Sequence, residues 1–309
     1  MIYIENDSND PYYNLAFEDY IFENYKEDEI LLFYINKPVI VCGKYQNIFE
    51  EANLIYAIEN DVAIIRRTSG GGTVYHDLGN INYSFIKNVS DKTNYEYFLN
   101  IIIKALKKLG INSSILQKSG IEIEDYKISG GAQKIAKGRI MHHGTLLYNT
   151  NLEDIYIMAN GKNMSYISKA PNSNPYKVGN IKDFYENKNI SSFEFKDLLL
   201  SKIKEEIDIS VIKLDDETKE KIQKIADEKY KSWEWTFSKS PNFHFKRDIS
   251  DNGIKYSIEY DAVGGIINNF KVEPNIAGLD EVLNGHILDY KKIKETLAKK
   301  YNKFYKYIF

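Results

Sequence analysis

The chain has 309 residues, of which 43% are hydrophobic, with a formal net charge of −3 and a single cysteine. This length suits one large domain, or a large domain with a small companion, and the near-neutral charge excludes a surface built to coat nucleic acid. The lone thiol, Cys42, excludes an intramolecular disulfide framework and cysteine-based zinc sites.

The opening Met1-Ile2-Tyr3-Ile4-Glu5-Asn6-Asp7 turns acidic at once, unlike a signal peptide. No apolar run approaches the roughly 20 residues that span a bilayer, so the expectation is a cytoplasmic protein with no membrane partner. Asp10-Pro11 predicts an N-cap with proline in the first turn, opening a helix through Tyr25. Ile30 to Tyr34 and Val39 to Cys42, separated by Asn36-Lys37-Pro38, predict two strands paired with each other. Val62 to Arg67 predicts a strand running into a glycine-rich stretch, and Ile81 to Ile86 alternates like a strand with one buried face. Thr93-Asn94-Tyr95-Glu96 has the form of a capping box, opening a helix that carries Phe98, Leu99, Ile102, Ala105, Leu106 and Leu109 to a stop at Gly110.

Ile121 to Ser129 predicts a hairpin turning at Glu124-Asp125, and Arg139 to Asn149 a long strand. The Asn, Ser, Pro and Gly content of 160–180 predicts a long loop, followed by helices at 192–206 and 216–231. Trp233-Glu234-Trp235 supplies aromatic anchors before the Ser240-Pro241 break. Strands at 254–260 and 264–271, then helices at 278–284 and 290–302, predict a small α/β unit. The expected division is a main domain over 1–240 and a small accessory domain over 241–309.

Two segments carry chemistry. In Arg66-Arg67-Thr68-Ser69-Gly70-Gly71-Gly72-Thr73-Val74-Tyr75-His76-Asp77, three glycines after a strand let the backbone approach a ligand, and their N–H groups can cradle anionic oxygens. Arg67 adds a fork of donors suited to phosphate or carboxylate. The second segment is Lys127-Ile128-Ser129-Gly130-Gly131-Ala132, followed by His142-His143-Gly144-Thr145-Leu146-Leu147. Adjacent strand residues face opposite ways, so one of His142 and His143 at most can share a cavity with Lys127. The five histidines lack metal-ligand spacing, no serine elbow is present, and Cys42 reads as a buried small residue.

In this order the segments resemble the lipoate–protein ligase family nearly end to end. Asp10 to Glu18 is similar to the family's opening helix, and Val41-Cys42-Gly43-Lys44-Tyr45-Gln46-Asn47 to its strand and turn. Arg66 to Asn80 is similar to its lipoate- and nucleotide-binding loop, Lys127 to Ala132 to its Lys-x-Ser-Gly segment, and His142 to Leu147 to its His-His-Gly-Thr-Leu-Leu strand.

The resemblance implies an α+β fold, a mixed β-sheet flanked by helices as in biotin ligases and class II synthetases, with a small C-terminal α/β domain. It implies two half-reactions: lipoate and ATP give lipoyl-AMP, and a lysine of a carrier then attacks it. The implied acceptors are lipoyl domains of 2-oxoacid dehydrogenase E2 subunits or the glycine-cleavage H-protein, and Mg²⁺ is expected with ATP. Lys127 is the implied catalytic cation. The implied nucleotide and lipoate contacts are Arg67, Ser69, Gly70, Gly71, Gly72, Thr73, Val74, Tyr75, His76, Asn80, Lys127, Gly130 and His143, with apolar strand residues holding the dithiolane tail. Two departures stand out: Lys118-Ser119-Gly120 where Asn-Asp is common, and Lys177 where an arginine is usual. The competing readings are a lipoyl or octanoyl transferase using a preformed acyl donor, and a non-catalytic lipoate- or nucleotide-binding regulator.

Overall fold

The computed structural model describes residues 1–26, 29–90, 94–159, 165–173, 176–298, 300–301 and 304–309. Its centre is a mixed eight-stranded sheet in the order β12-β1-β2-β6-β10-β9-β8-β7. The strands are β1 (Ile2–Ile4), β2 (Ile30–Ile35), β6 (Asn80–Asn88), β7 (Ser114–Leu116), β8 (Gly120–Ile123), β9 (Tyr126–Ala136), β10 (Arg139–Leu147) and β12 (Ser210–Ile212). A three-stranded sheet has β3 (Val39–Cys42) between β4 (Ala63–Arg66) and β5 (Val74–His76). The third sheet is antiparallel, in the order β11 (Tyr166–Ser168), β13 (Phe243–Asp251), β14 (Ile254–Val263) and β15 (Ile266–Glu273). The helices are α1 (Pro11–Asn24), α2 (Ile48–Glu51), α3 (Leu54–Glu59), α4 (Tyr95–Lys108), α5 (Leu152–Ala159), α6 (Ser192–Lys204), α7 (Asp216–Ile225), α8 (Trp233–Thr236), α9 (Leu279–Leu283) and α10 (Tyr290–Ala298). Among the described residues no helix is long and apolar enough to cross a membrane.

Side-chain alternation sorts these elements into layers. On one face of the large sheet, Leu31, Phe33, Tyr83, Phe85 and Leu146 pack beneath Phe98, Leu99 and Ile102 of α4 and Phe195 and Leu199 of α6. On the other, Leu32, Ile86 and Met141 meet Leu15, Phe17 and Phe22 of α1 and Val39, Val41 and Ile65 of the small sheet. The alternate residues of that small sheet, Ile40, Cys42, Ile64 and Tyr75, point outward into a third core shared with Phe245, Tyr260, Ile267 and the C-terminal helices. Asp10 caps α1 through the Tyr12 N–H, with Pro11 in the first turn.

Several expectations needed revision. The strands at 30–34 and 39–42 are not partners: β2 pairs with β1 and β6, and the Asn36-Lys37-Pro38 connection carries the chain into another sheet. β6 is buried on both faces, with Asn82 and Ser84 as inaccessible as the aromatic residues between them. Thr93, half of the expected capping box, lies outside the described residues, and Asn94 is the cap of α4, accepting from the Tyr97 N–H. The 160–180 stretch contributes β11 to the C-terminal sheet, while 160–164 and 174–175 lie outside the described residues. The helix expected at 216–231 is α7 followed by a π-helical turn at Ala226–Tyr230. β13 was not anticipated, and the helix expected to reach 302 is described to Ala298, with 299 and 302–303 outside the described residues.

Candidate functional site

A β-bulge decides which way Lys127 faces. Gly120 opposes Gly130 and Ile121 opposes Ser129, but Glu122 opposes Lys127, so β9 carries one extra residue at Ile128. Without it, Lys127 and Ala132, five positions apart, would lie on opposite faces. With it, Lys127, Gly130 and Ala132 share a face, and Ala132 pairs with His143 of β10. That face continues through Thr145 to Asn82 of β6 and Tyr34 of β2. His142 takes the other side, stacked on Phe98 at 4.9 Å, and burial holds its imidazole down at about 3.

Between this face and the small sheet lies a cavity of about 410 Å³, whose lining includes Lys127, Gly130, His143, Arg67, Gly71–Val74 and His76. The Lys127 amine sits 4.2 Å from the Tyr176 ring centre, and among the described residues it has no carboxylate partner. Desolvation lowers its pKa from the ordinary lysine value.

The triglycine turn is held from behind. Arg67 donates from Nε to the Ser69 hydroxyl, from Nη1 to the Val41 carbonyl and from Nη2 to the Gly70 and Gly72 carbonyls. Arg66, fully buried, binds the Gly43, Lys44 and Gln46 carbonyls, the Thr236 carbonyl and the Ser240 hydroxyl. Gly71 has φ +88, and a Cβ added at Gly43 would stand 2.0 Å from the Gly71 carbonyl oxygen, so both positions require glycine. The N–H groups of Gly70, Gly71 and Gly72 have no acceptor among the described residues. The Thr73 N–H donates to the Ser173 hydroxyl, which in turn donates to Glu51. Pro171, Asn172, Ser173 and Tyr176 thus cover the turn and the amine together.

The acidic and imidazole groups near the turn are tightly packed. His143 Nε2 lies 2.6 Å from the Ser69 hydroxyl and its Nδ1 2.9 Å from the Glu18 carboxyl, to which Tyr34 also donates. His76 Nδ1 accepts from the Asn36 amide at 3.0 Å. Burial, with Arg67 and His143 nearby, pushes its pKa down to about 3. Asp19 of α1 accepts from Lys134, Lys229, Tyr230 and Thr68. Burial opposes its ionisation, but Lys229 and Lys134 outweigh that and hold the carboxyl below its ordinary value.

The model of the lipoyl protein ligase A/B catalytic domain matches residues 10–204. Lipoate–protein ligase 1 of Staphylococcus aureus is 34% identical over 302 residues, covering 95% of this chain and 92% of that one. This chain belongs to the lipoate–protein ligase family. The ligase LplJ of Bacillus subtilis is 35% identical over 289 residues, covering 91% of this chain and 87% of its own. Among solved structures, P. falciparum LipL1 in complex with lipoate superposes with a TM-score of 0.65 at 23% identity, covering 100% of this chain and 97% of that one. Lipoate–protein ligase A bound with ATP gives the same score and identity over 76% of this chain and 98% of its own. At such identities these two structures speak for the fold, an α+β ligase fold with a mixed sheet flanked by helices.

Set in this ligase, the expected site residues divide. Arg67, Gly71, Gly72, Thr73, Val74, His76, Lys127, Gly130 and His143 line the one cavity, whereas Ser69, Gly70, Tyr75 and Asn80 do not. Ser69 stands behind the turn against His143 and Arg67. The Tyr75 hydroxyl donates to Asp154 in the outer core, and Asn80 donates to Asn82. Val74 and Tyr75 belong to β5, whose ladder with β3 occupies backbone groups, so the preceding glycines have the most backbone to offer a ligand. Lys177 lies over Tyr126, 3.8 Å from its ring centre, and is not among the cavity residues.

Sequence reasoning missed Tyr34, Asn82, Thr145, Gln117, Ser119 and Tyr176, all in the cavity wall. The available signal was the Asn80-x-Asn82-x-Ser84 alternation, polar residues on a strand face that is fully covered. The wall is consequently more polar than the apolar sleeve expected for a dithiolane. Cys42 is wholly buried in β3, and burial pushes its thiol up.

Proposed function

We propose that this cavity forms lipoyl-AMP from lipoate and ATP, and then passes the lipoyl group to a lysine on a lipoyl domain. The observation that carries the reading is the meeting of the Lys127 amine and the Gly71–Gly72 part of the glycine turn in one cavity. A carboxylate acylates poorly because its leaving oxygen is too basic, and adenylation replaces that oxygen with a good leaving group. As lipoate oxygen attacks the α-phosphorus and pyrophosphate departs, negative charge grows on the phosphoryl oxygens. In the second step it grows on the acyl oxygen as the carrier lysine attacks. A preorganised ammonium stabilises both, and its partial desolvation strengthens the effect. Lys127 supplies that charge, and the triglycine N–H groups cradle the phosphate. Arg67 shapes the turn and lends its positive field from behind.

Among the described residues no three histidine, cysteine or acidic side chains form a metal cage, and no carboxylate lines the cavity. The residues therefore do not fit a resident Mg²⁺; an ion arriving with ATP would rest on phosphate oxygens and water. We assign catalysis to 1–240 and an accessory role to 241–309, with β11 as a strand lent by the first part to the sheet of the second. The proposal extends to acceptors of the E2 and glycine-cleavage type, which the family resemblance implies.

Incubation with lipoate, Mg-ATP and a purified lipoyl domain is expected to release pyrophosphate and raise the intact mass of the domain by one lipoyl group. Modification from a preformed acyl donor, without pyrophosphate, would favour the transferase reading instead. Binding of lipoate with no modification would make the chain a regulator.

A further inference from the structure

One polar atom in the cavity wall has no use in the scheme above. His76 lines the cavity, yet its Nε2 is buried and has no hydrogen-bond partner. A buried polar atom without a partner is uncommon and unfavourable.

The protonation of that atom follows from a chain of bonds. The Ser8 N–H donates to Asn6 Oδ1, so the Asn6 amide nitrogen faces the other way and donates to Asn14 Oδ1. Asn14 Nδ2 then donates to the Ser8 carbonyl and to Asn36 Oδ1 at 2.7 Å. That leaves Asn36 Nδ2 as the donor to His76 Nδ1 at 3.0 Å. Two backbone groups of Ser8, one donor and one acceptor, thus fix three amides and, through them, the imidazole tautomer. His76 carries its proton on Nε2. Burial disfavours the imidazolium, so the ring is a neutral donor.

His76 also stands at a definite place along the cavity. Asn36 directly follows β2, whereas Lys127 lies on β9, three strands away in the sheet order β2-β6-β10-β9. At the usual spacing between neighbouring strands that separation is about 14 Å, the length scale of an extended lipoyl chain. If the acyl carbonyl sits at Lys127, as the proposed function has it, the far end of the chain reaches the His76 end.

We propose that His76 selects the acyl tail: its Nε2–H donates to a dithiolane sulfur and disfavours a saturated chain that offers no acceptor. Sulfur is a weak acceptor, so the discrimination is modest, about tenfold in kcat/KM. A plain hydrocarbon leaves the donor unpaired, and that asymmetry is the source of the preference.

The test compares lipoate with octanoate in wild-type protein and in His76→Phe and His76→Gln, by pyrophosphate release and by intact mass of the acceptor. In His76→Phe the lipoate kcat/KM is expected to fall about tenfold more than the octanoate value, chiefly through KM. His76→Gln, which can still donate, is expected to recover part of the preference. Because both acids are compared within each variant, partial loss of folded protein cancels. Imidazole nitrogen NMR on the wild type gives a second readout and is expected to show the neutral Nε2–H form at neutral pH. An Nδ1–H or doubly protonated ring, or an equal fall for both acids in His76→Phe, would overturn the proposal. If the wild type ligated neither acid, the reading of the cavity itself would fall first.

Discussion

Replacing Lys127 with alanine separates catalysis from stability more cleanly than any other change in this cavity. The ammonium is mostly withdrawn from water, with a ring face at 4.2 Å as its contact and no carboxylate partner among the described residues. Its pKa is lowered by desolvation from the ordinary value of 10.5. The native state therefore binds that proton less readily than the unfolded chain, and stability rises with pH between the lowered value and 10.5. At neutral pH the charge costs the fold rather than supporting it. Removing it relieves that cost and loses a cation–π contact of about 0.5–2 kcal/mol. The two nearly cancel, leaving a melting shift of no more than about 2–4 °C.

The catalytic loss is far larger. A unit charge about 4 Å from a developing oxyanion, at an effective dielectric near 20, contributes about 4 kcal/mol. That corresponds to a fall of roughly 10²–10³-fold in kcat once residual solvent screening is allowed for. Pyrophosphate release monitors the first half-reaction and intact mass of the lipoyl domain the second. Turnover within about threefold of wild type would remove the amine from the mechanism, since threefold is well below one unit charge. Activity lost in proportion to folded protein would make Lys127 a structural residue.

Gly43→Ala should drive a methyl into the Gly71 carbonyl oxygen, 2.0 Å away, costing more than about 2 kcal/mol and lowering ligation at least tenfold; thermal melts and the mass assay read both. Asp19→Ala should cost about 3 kcal/mol at neutral pH by stranding Lys134 and Lys229. Because the Asp19 carboxyl is held below its ordinary value of 3.8, its contribution is complete above that value and is lost as pH falls through the folded one. The stability gap between wild type and variant should therefore narrow below about pH 3.8 in acid melts. Cys42→Ala should leave ligation at its wild-type rate and cost about 1 kcal/mol, and the folded protein should resist thiol alkylation.

Much of the site was legible because its segments carry local signals. A run of three glycines after a strand, a lysine before small residues and paired histidines are all visible in one dimension. Strand parity correctly limited the cavity to one of His142 and His143, and the structure makes it His143. Contacts set by tertiary pairing were not legible. Nothing near Asn36-Lys37-Pro38 shows that the chain leaves one sheet for another, because a short polar connection serves a hairpin equally well. Arg67 looked like a free anion ligand, since sequence does not show that the Val41, Gly70 and Gly72 carbonyls surround it. Glu18 and Asp19, adjacent in α1, meet His143 and Lys134 only after β9 and β10 have assembled. β13 was not legible because Phe243, its first residue, reads as the end of the aromatic stretch that begins at Trp233.

The extra residue at Ile128 makes the site unusually vulnerable to a change in chain length. Deleting a single codon there would keep every functional group in the polypeptide yet rotate the lysine into the greasy layer under α4, where an ammonium cannot stay charged. Such an in-frame lesion would look like a one-residue gap in a sequence comparison, yet it would take the amine out of the cavity. For protein engineers, the same rule means that register in this hairpin has to be conserved before any side chain is chosen.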